Sequence, residues 1–376
     1  MRILYGIQGT GNGHITRARA MASEFDKAGL AVDFLVSGRP RDQLFDMGGF
    51  GDFRHRDGLT FAVSDGRIRP LATMVKARPL AFLRDIRRLE LERYDLVITD
   101  YEPITAWAAR LKGIPSIGLG HQYAFEYPIP QYRGSAAQRT IMRQFAPARR
   151  KLGVHWHHFN APILPPIAPV GGRNSRLEKG LIIVYLPFES TAAISFLLNA
   201  FPEYRFSIYH PDAPGVPDGH MTWHKPQREA FQDELHHCEG VICNAGFELA
   251  SEVLQLGRKL LVKPVHGQPE QYSNTLALDL LGYGHTMHSL DAARVSRWLD
   301  SAEGARVIYP NVARGICEWL AAGAVADIGE LSRSLWDRAI LPEITPATVS
   351  TEARDVSPEL TDDNARSHAH GHYDSP

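Results

Sequence analysis

The feature that most constrains this chain is a strand, glycine turn, helix, strand rhythm that occurs on both sides of a proline-rich crossing. Met1–Ile7 is apolar and β-branched enough for a buried parallel strand, and it runs into the glycine-dense turn Gln8–Gly13. Ile15–Lys27 reads as a helix stopped by Gly29, and Ala31–Val36 as the next strand, so the opening is a βαβ unit. The pattern returns with a strand at Tyr94–Thr99, a helix at Pro103–Leu111, a stop at Gly113 and a strand at Ser116–Leu119. His155–Gly172 reads as an extended crossing. Beyond it strands are expected at 180–185, 205–209, 240–244 and 259–264, with helices near 191–200, 228–236, 249–256 and 270–281. The expected fold class is therefore α/β, two doubly wound Rossmann-like units over residues 1–165 and 166–338. The 376-residue length agrees, because single cores stop growing near roughly 250 to 300 residues.

After Arg338 the chain turns polar, acidic and proline-punctuated, and 339–376 reads as a disordered tail. His368, His370 and His372 there carry metal-binding atoms but no preformed site. A content of 44% hydrophobic and 22% charged residues excludes collagen-like, coiled-coil and wholly disordered chains. Three cysteines are too few for a secreted disulfide framework. The N-terminus lacks a signal-peptide core and no apolar run is long enough to span a bilayer, so the expected location is cytoplasmic. The charge is uneven: residues 1–165 carry a formal +9 and the remainder −10. A basic first half suits an anionic partner there, an acceptor or the inner face of a membrane. The helical segment Leu71–Leu91, with Arg78, Arg84, Arg87 and Arg88 beside an apolar stripe, fits either a lipid surface or ordinary packing.

Three loops carry the chemistry. Gly9-Thr10-Gly11-Asn12-Gly13-His14 joins the first strand to the first helix, where glycines admit a ligand and helix-start N–H groups favour anions. It departs from a dinucleotide fingerprint: His14 stands at the third glycine position, and the second strand ends in Ser37-Gly38-Arg39 without an acid. The second loop, Asn244-Ala245-Gly246-Phe247-Glu248, leads into a helix bearing Ser251 and Glu252, a carboxylate placed to accept ribose hydroxyls. The third, His266-Gly267-Gln268-Pro269-Glu270-Gln271, offers amide and carboxylate groups to sugar hydroxyls. His121 and Gln122 follow the strand at 116–119 and are candidates for the acceptor side. His236, His237, Cys238 and Cys243 have zinc-binding atoms without finger spacing, and His155-x-His157 reads as two residues on one face of a strand.

In this order the loops resemble the two-domain nucleotide-sugar glycosyltransferases of the GT-B type, and among them the microbial group related to the lipid-linked N-acetylglucosaminyltransferase of peptidoglycan synthesis. The resemblance covers about residues 1–325. It implies two Rossmann-like domains facing across a cleft, and transfer of a sugar from a nucleoside-diphosphate sugar, UDP-linked, to an acceptor hydroxyl with inversion. It implies no cofactor, and the absence of a D-x-D motif agrees with a metal-independent reaction. Nucleic acid has no place in this reading. By the resemblance His14 is the base and Asp100 its orienting carboxylate, in keeping with the chemistry of a neutral imidazole. Gly11, Gly13, Asn244, Gly246, Phe247, Ser251, Glu252, His266, Gln268, Glu270 and Gln271 are implied around the donor. Glu248 and Leu249 stand where plant-type relatives have Asn and Ser, which moves phosphate binding onto backbone N–H groups. A helix near Asn311–Ala322 is expected to cross back to the first domain. A nucleotide-sugar epimerase or hydrolase, or a non-catalytic nucleotide-sugar sensor, would share the fold.

Overall fold

The computed structural model describes residues 1–342 apart from 45, 60–62, 65–66, 69–78, 133–134, 169–175, 215–218 and 302–303. His368, His370 and His372 with the rest of the chain from 343 on, Arg78, and the start of the Leu71–Leu91 segment lie outside the described residues. The expected tail begins too early at 339, because Ile340 pairs with Ile308 in an antiparallel bridge and Ala339 and Leu341 pack on the core.

Both halves are doubly wound. In the first, strands β1 (Arg2–Gln8), β2 (Ala31–Ser37) and β3 (Arg54–Arg56) are followed by a short antiparallel ribbon, β4 (Val63–Ser64) with β5 (Arg67–Ile68). Then come β6 (Leu96–Asp100), β7 (Ser116–Gly120) and β8 (Arg150–Gly153). The six-stranded sheet has the order β3-β2-β1-β6-β7-β8 and is parallel throughout. In the second, β9 (Glu178–Tyr185), β10 (Arg205–Tyr209), β11 (Met221–His224), β12 (Cys238–Asn244), β13 (Lys259–Lys263) and β14 (His285–Thr286) form a parallel sheet of order β11-β10-β9-β12-β13-β14. Each sheet reverses its winding once, between β1 and β6 and between β9 and β12. Such switch points open a crevice beyond the carboxyl ends of the strands, where α/β sheets take their ligands.

The helices are α1 (Asn12–Lys27), α2 (Pro79–Arg88), α3 (Pro103–Lys112), α4 (Ala136–Phe145), α5 (Thr191–Leu198), α6 (Arg228–His237), α7 (Phe247–Leu256), α8 (Pro269–Leu281), α9 (Ala292–Leu299), α10 (Val312–Ala321) and α11 (Ile328–Trp336). Local chemistry sets their ends. Glu102 caps α3 by accepting the amides of Ile104 and Thr105, with Pro103 at the first turn, and Gly113 closes that helix at φ 69°. On α2, Ile86 is buried in a cluster with Leu4, Leu35 and Tyr94, whereas Leu80 and Leu83 are exposed.

Helices α10 and α11 return to the first half, as expected of the segment near Asn311. Asn311 donates to Glu24 on α1 at 3.1 Å, and Arg150 on β8 lies 4.6 Å over the Trp319 ring. Ser332 and Trp336 of α11 both donate to the carbonyl of Ile163 in the crossing segment. No helix among the described residues is long and apolar enough to cross a membrane.

Candidate active site

The carboxyl ends of the two sheets meet. Gln8 and Asp100 end β1 and β6, which run side by side, so α1 starts next to Asp100. Asp100 is fully buried and accepts four donors. Oδ2 takes Tyr5 Oη at 3.1 Å and Arg17 Nε at 2.8 Å, while Oδ1 takes Arg17 Nη2 at 2.5 Å and His14 Nδ1 at 2.7 Å. Burial alone would raise its pKa; the Arg17 guanidinium and the His14 bond outweigh burial and hold the carboxyl below the usual range. A carboxylate can only accept, so in the neutral ring the His14 proton sits on Nδ1 and Nε2 carries the lone pair. The His14 side chain keeps 15% of its surface open.

Arg17, one turn beyond His14 on α1, is a residue the sequence reading did not single out. It is 1% exposed, and besides its fork on Asp100 its Nη1 pairs with Glu248 Oε1 of α7, in the other half. Glu248 Cγ lies 3.0 Å from where a Cβ on Gly13 would stand, so Gly13 allows the two helix starts this approach. Asn12 donates to Tyr185 Oη at the end of β9 at 3.1 Å, a further bond between the halves.

On the second sheet, α7 starts at Gly246 and α8 at Gln268, neither with a side-chain cap. Gly11 likewise begins α1 without one. Uncapped starts leave backbone N–H groups available to an anion. Around Gly246 a Cβ would meet nothing within 4 Å, and around Gly11 only the His14 ring at 4.0 Å. Glu252 is 8% exposed and accepts Gln232 Nε2 at 2.7 Å; burial raises its pKa. Asn244 Oδ1 and Gln268 Oε1 are buried acceptors without a protein partner. Glu270 accepts Gln122 Nε2 at 3.0 Å, Gln271 Oε1 accepts the Val265 amide at 2.9 Å, and His266 is exposed beside Tyr272 Oη at 3.3 Å.

Three expectations need correcting. His121 does not present its ring to an acceptor: it is 1% exposed, its Nδ1 meets the Val154 carbonyl at 2.9 Å, and its Nε2 meets Asn274 Oδ1 at 2.6 Å. The ring lies flat on Phe247, centroids 4.0 Å apart, so the Phe247 side chain is packing between the halves and only its backbone can face a ligand. Ser251 is also spent, donating to the Phe247 carbonyl and accepting Trp156 Nε1. Of the acceptor pair, Gln122 alone remains partly exposed.

His155 and His157 are not on a strand. They sit in a turn in which the Nδ1 atoms of His155, His157 and His158 each accept the amide two residues on, at 3.4, 3.0 and 2.9 Å. His236 and Cys238 bond to backbone carbonyls, and no group of three metal-ligating side chains occurs among the described residues.

The buried histidines give a pH prediction. Burial lowers the pKa of His121 and His155, and pushes His157 down to about 4. Unfolded rings take up protons below about pH 6.5 while the folded ones stay neutral, so stability is full above that value and is lost as pH falls from it toward the folded values. His157 alone should cost up to about 1–2 kcal/mol at pH 5, after allowing for its partial exposure. The melting temperature should fall steadily from pH 7 to pH 5 and change little from pH 7 to pH 8.5. A flat calorimetric profile between pH 7 and pH 5 would contradict this.

Two parallel doubly wound sheets whose strand ends meet in this way make the GT-B fold. The chain belongs to glycosyl transferase family 1, whose family model matches residues 1–302. No curated protein matches it significantly in sequence. Among solved structures, it is similar to the spinosyn forosaminyltransferase SpnP, at 13% identity over 90% of this chain and 98% of that one, with a TM-score of 0.55. It is also similar to the glycotransferase of kitacinnamycin, at 16% identity over 89% and 97% of the chains, with a TM-score of 0.54. A third is a glycosyltransferase of Streptomyces sp. SF2575 complexed with thymidine diphosphate, at 16% identity over 90% and 99%, with a TM-score of 0.52. At such identities the likeness speaks to fold.

Proposed function

We propose that this enzyme moves a sugar from a nucleoside-diphosphate sugar, of the UDP-linked class, to an acceptor hydroxyl, inverting the anomeric centre without a metal ion. One observation carries this reading: the His14–Asp100 pair, 2.7 Å apart, stands at the switch point of the first sheet, and α1 packs there against α7 of the second, which starts at the uncapped Gly246. The first half, residues 1–165, holds the acceptor and the second, 166–338, the donor.

His14 Nε2 takes the proton of the acceptor hydroxyl while the Asp100 carboxylate steadies the ring and the cation it becomes. The acceptor oxygen bonds to the anomeric carbon from the face opposite the diphosphate. The carbon–oxygen bond to the diphosphate breaks, and its electron pair leaves on the β-phosphate oxygen. Backbone N–H groups at the starts of α7 and α8 meet that charge. Glu252 holds the ribose, and Gln268, Glu270 and Gln271 hold the sugar, with Asn244 and His266 beside them. The thymidine diphosphate bound in one structural neighbour supports a nucleotide donor. The likeness to the lipid-linked N-acetylglucosaminyltransferase group, with exposed Leu80 and Leu83 beside Arg84 and Arg87, favours an acceptor presented at an anionic membrane.

Calorimetry with UDP, GDP, dTDP and their sugars tests the donor. One nucleotide series should bind at micromolar Kd. Glu252→Ala should weaken it by about tenfold or more, the worth of a hydrogen bond to a charged group. Gly246→Ala should leave the melting temperature unchanged, since Gly246 has φ −75° and open space at its Cβ, yet weaken the nucleotide by crowding its phosphates. If no nucleotide binds the folded protein, the donor assignment fails. Acceptors are then screened in anionic vesicles, and release of free sugar without transfer would mark a hydrolase instead.

A further inference from the structure

Arg17 is a buried charge with no part in that reaction. It lies between two carboxylates from different halves of the molecule, Asp100 on β6 and Glu248 on α7. Its Nη2 also comes within 2.9 Å of His14 Nδ1. Because Nδ1 must donate to Asp100, that approach sets a guanidinium against a ring N–H, so the Arg17 charge opposes protonation of the ring. Burial works against the charged form of Arg17, but Asp100 more than restores it. The titratable groups facing His14 and Arg17 are Asp100 and Tyr5 from the first sheet, His121 just beyond β7, and Glu248 and Glu270 from the second half. The nearest of these, with Arg17 itself, sum to one negative charge while the imidazole is neutral, and to zero once it has taken a proton. Without Arg17 two uncompensated carboxylates would face the imidazole, and both favour its cation.

We propose that Arg17 is a positioning residue that keeps His14 neutral and correctly oriented, and that Glu248, delivered by the opposite half, is the counter-charge that strengthens the base when the cleft is closed. Loss of the Arg17–Glu248 contact on opening leaves Arg17 and Asp100 to cancel each other, which makes His14 a weaker base. The proton-abstracting power of the first half thus depends on the position of the second. This extends the general-base reading of His14 and rests on it for its catalytic consequence, though not for its electrostatics.

The test follows the titration of the His14 ring by NMR in the full-length protein, with His14→Gln used to assign the signal. Arg17→Met should move the midpoint up by about one pH unit and Glu248→Gln should move it down, each by removal of one neighbouring charge. Arg17→Lys, which keeps the charge, should stay nearer wild type. The double variant Arg17→Met/Glu248→Gln should return toward the wild-type midpoint, a rescue that a merely structural role for Arg17 would not produce. Should Arg17→Met fail to fold, Glu248→Gln decides alone: an unmoved midpoint overturns the proposal, as does failure of a folded double variant to recover. The acid limb of kcat/KM for transfer should follow the midpoints. If the ring titrations move and the limb does not, the charge coupling stands and the general-base role of His14 falls.

Discussion

His14→Ala should lower kcat for transfer by about a thousandfold, within the 10²–10⁴ range of general-base catalysis, while leaving nucleotide affinity within about twofold. The asymmetry follows from geometry, because His14 belongs to the first half and, apart from the backbone at Gly11 and Gly13, the groups assigned to the donor belong to the second. Asp100→Asn is a poorer experiment. That carboxylate accepts four donors, among them the buried fork of Arg17, so its removal strands a buried cation as well as freeing the imidazole. Initial-rate measurements paired with calorimetry separate the outcomes. If His14→Ala keeps activity within tenfold of wild type, another group removes the acceptor proton.

The largest loss of stability should come from Trp156→Ala. Trp156 is fully buried in the crossing segment, donates from Nε1 to Ser251 at 2.8 Å, and packs on Phe247 with centroids 4.8 Å apart. Its carbonyl accepts Tyr309 Oη at 3.3 Å. Deleting the indole from this junction should cost about 3–5 kcal/mol. Trp156→Phe keeps much of the volume and loses chiefly the hydrogen bond to Ser251, so it should cost about 1–2 kcal/mol. Urea unfolding followed by circular dichroism checks both. A loss below about 1 kcal/mol for Trp156→Ala would mean that the crossing does not brace α7.

Periodicity made most of the fold legible, because buried parallel strands are continuous apolar runs and their helices end at glycines such as Gly113 and Gly257. The elements that escaped notice are those whose burial comes from neighbours. Strand β8 is the polar tetrapeptide Arg150–Gly153 and α4 carries no buried side chain among those described, so neither shows an apolar pattern. The pairing of His14 with Asp100 could be anticipated from the resemblance, and the order of elements allows it, because α1 follows β1 and the neighbouring β6 ends at Asp100. Arg17 could not, since an arginine on an amphipathic helix reads as a solvated group; its spacing of three from His14 was the one available signal. His121 and Phe247 misled for the converse reason. Their loop positions pointed to ligands, yet aromatic rings at a junction between two halves are most readily buried against each other.

The return of α10 to α1 has a consequence for how the protein is made. Asn311 and its partner Glu24 are 287 positions apart, the first helix waiting on one of the last. At about 5–20 residues per second, ribosomal synthesis leaves that face of α1 uncovered for roughly 15–60 s. The first sheet can form early, but it stays unsealed until the end of the chain is delivered. A nascent chain stalled before residue 311 should therefore be the species that chaperones hold longest.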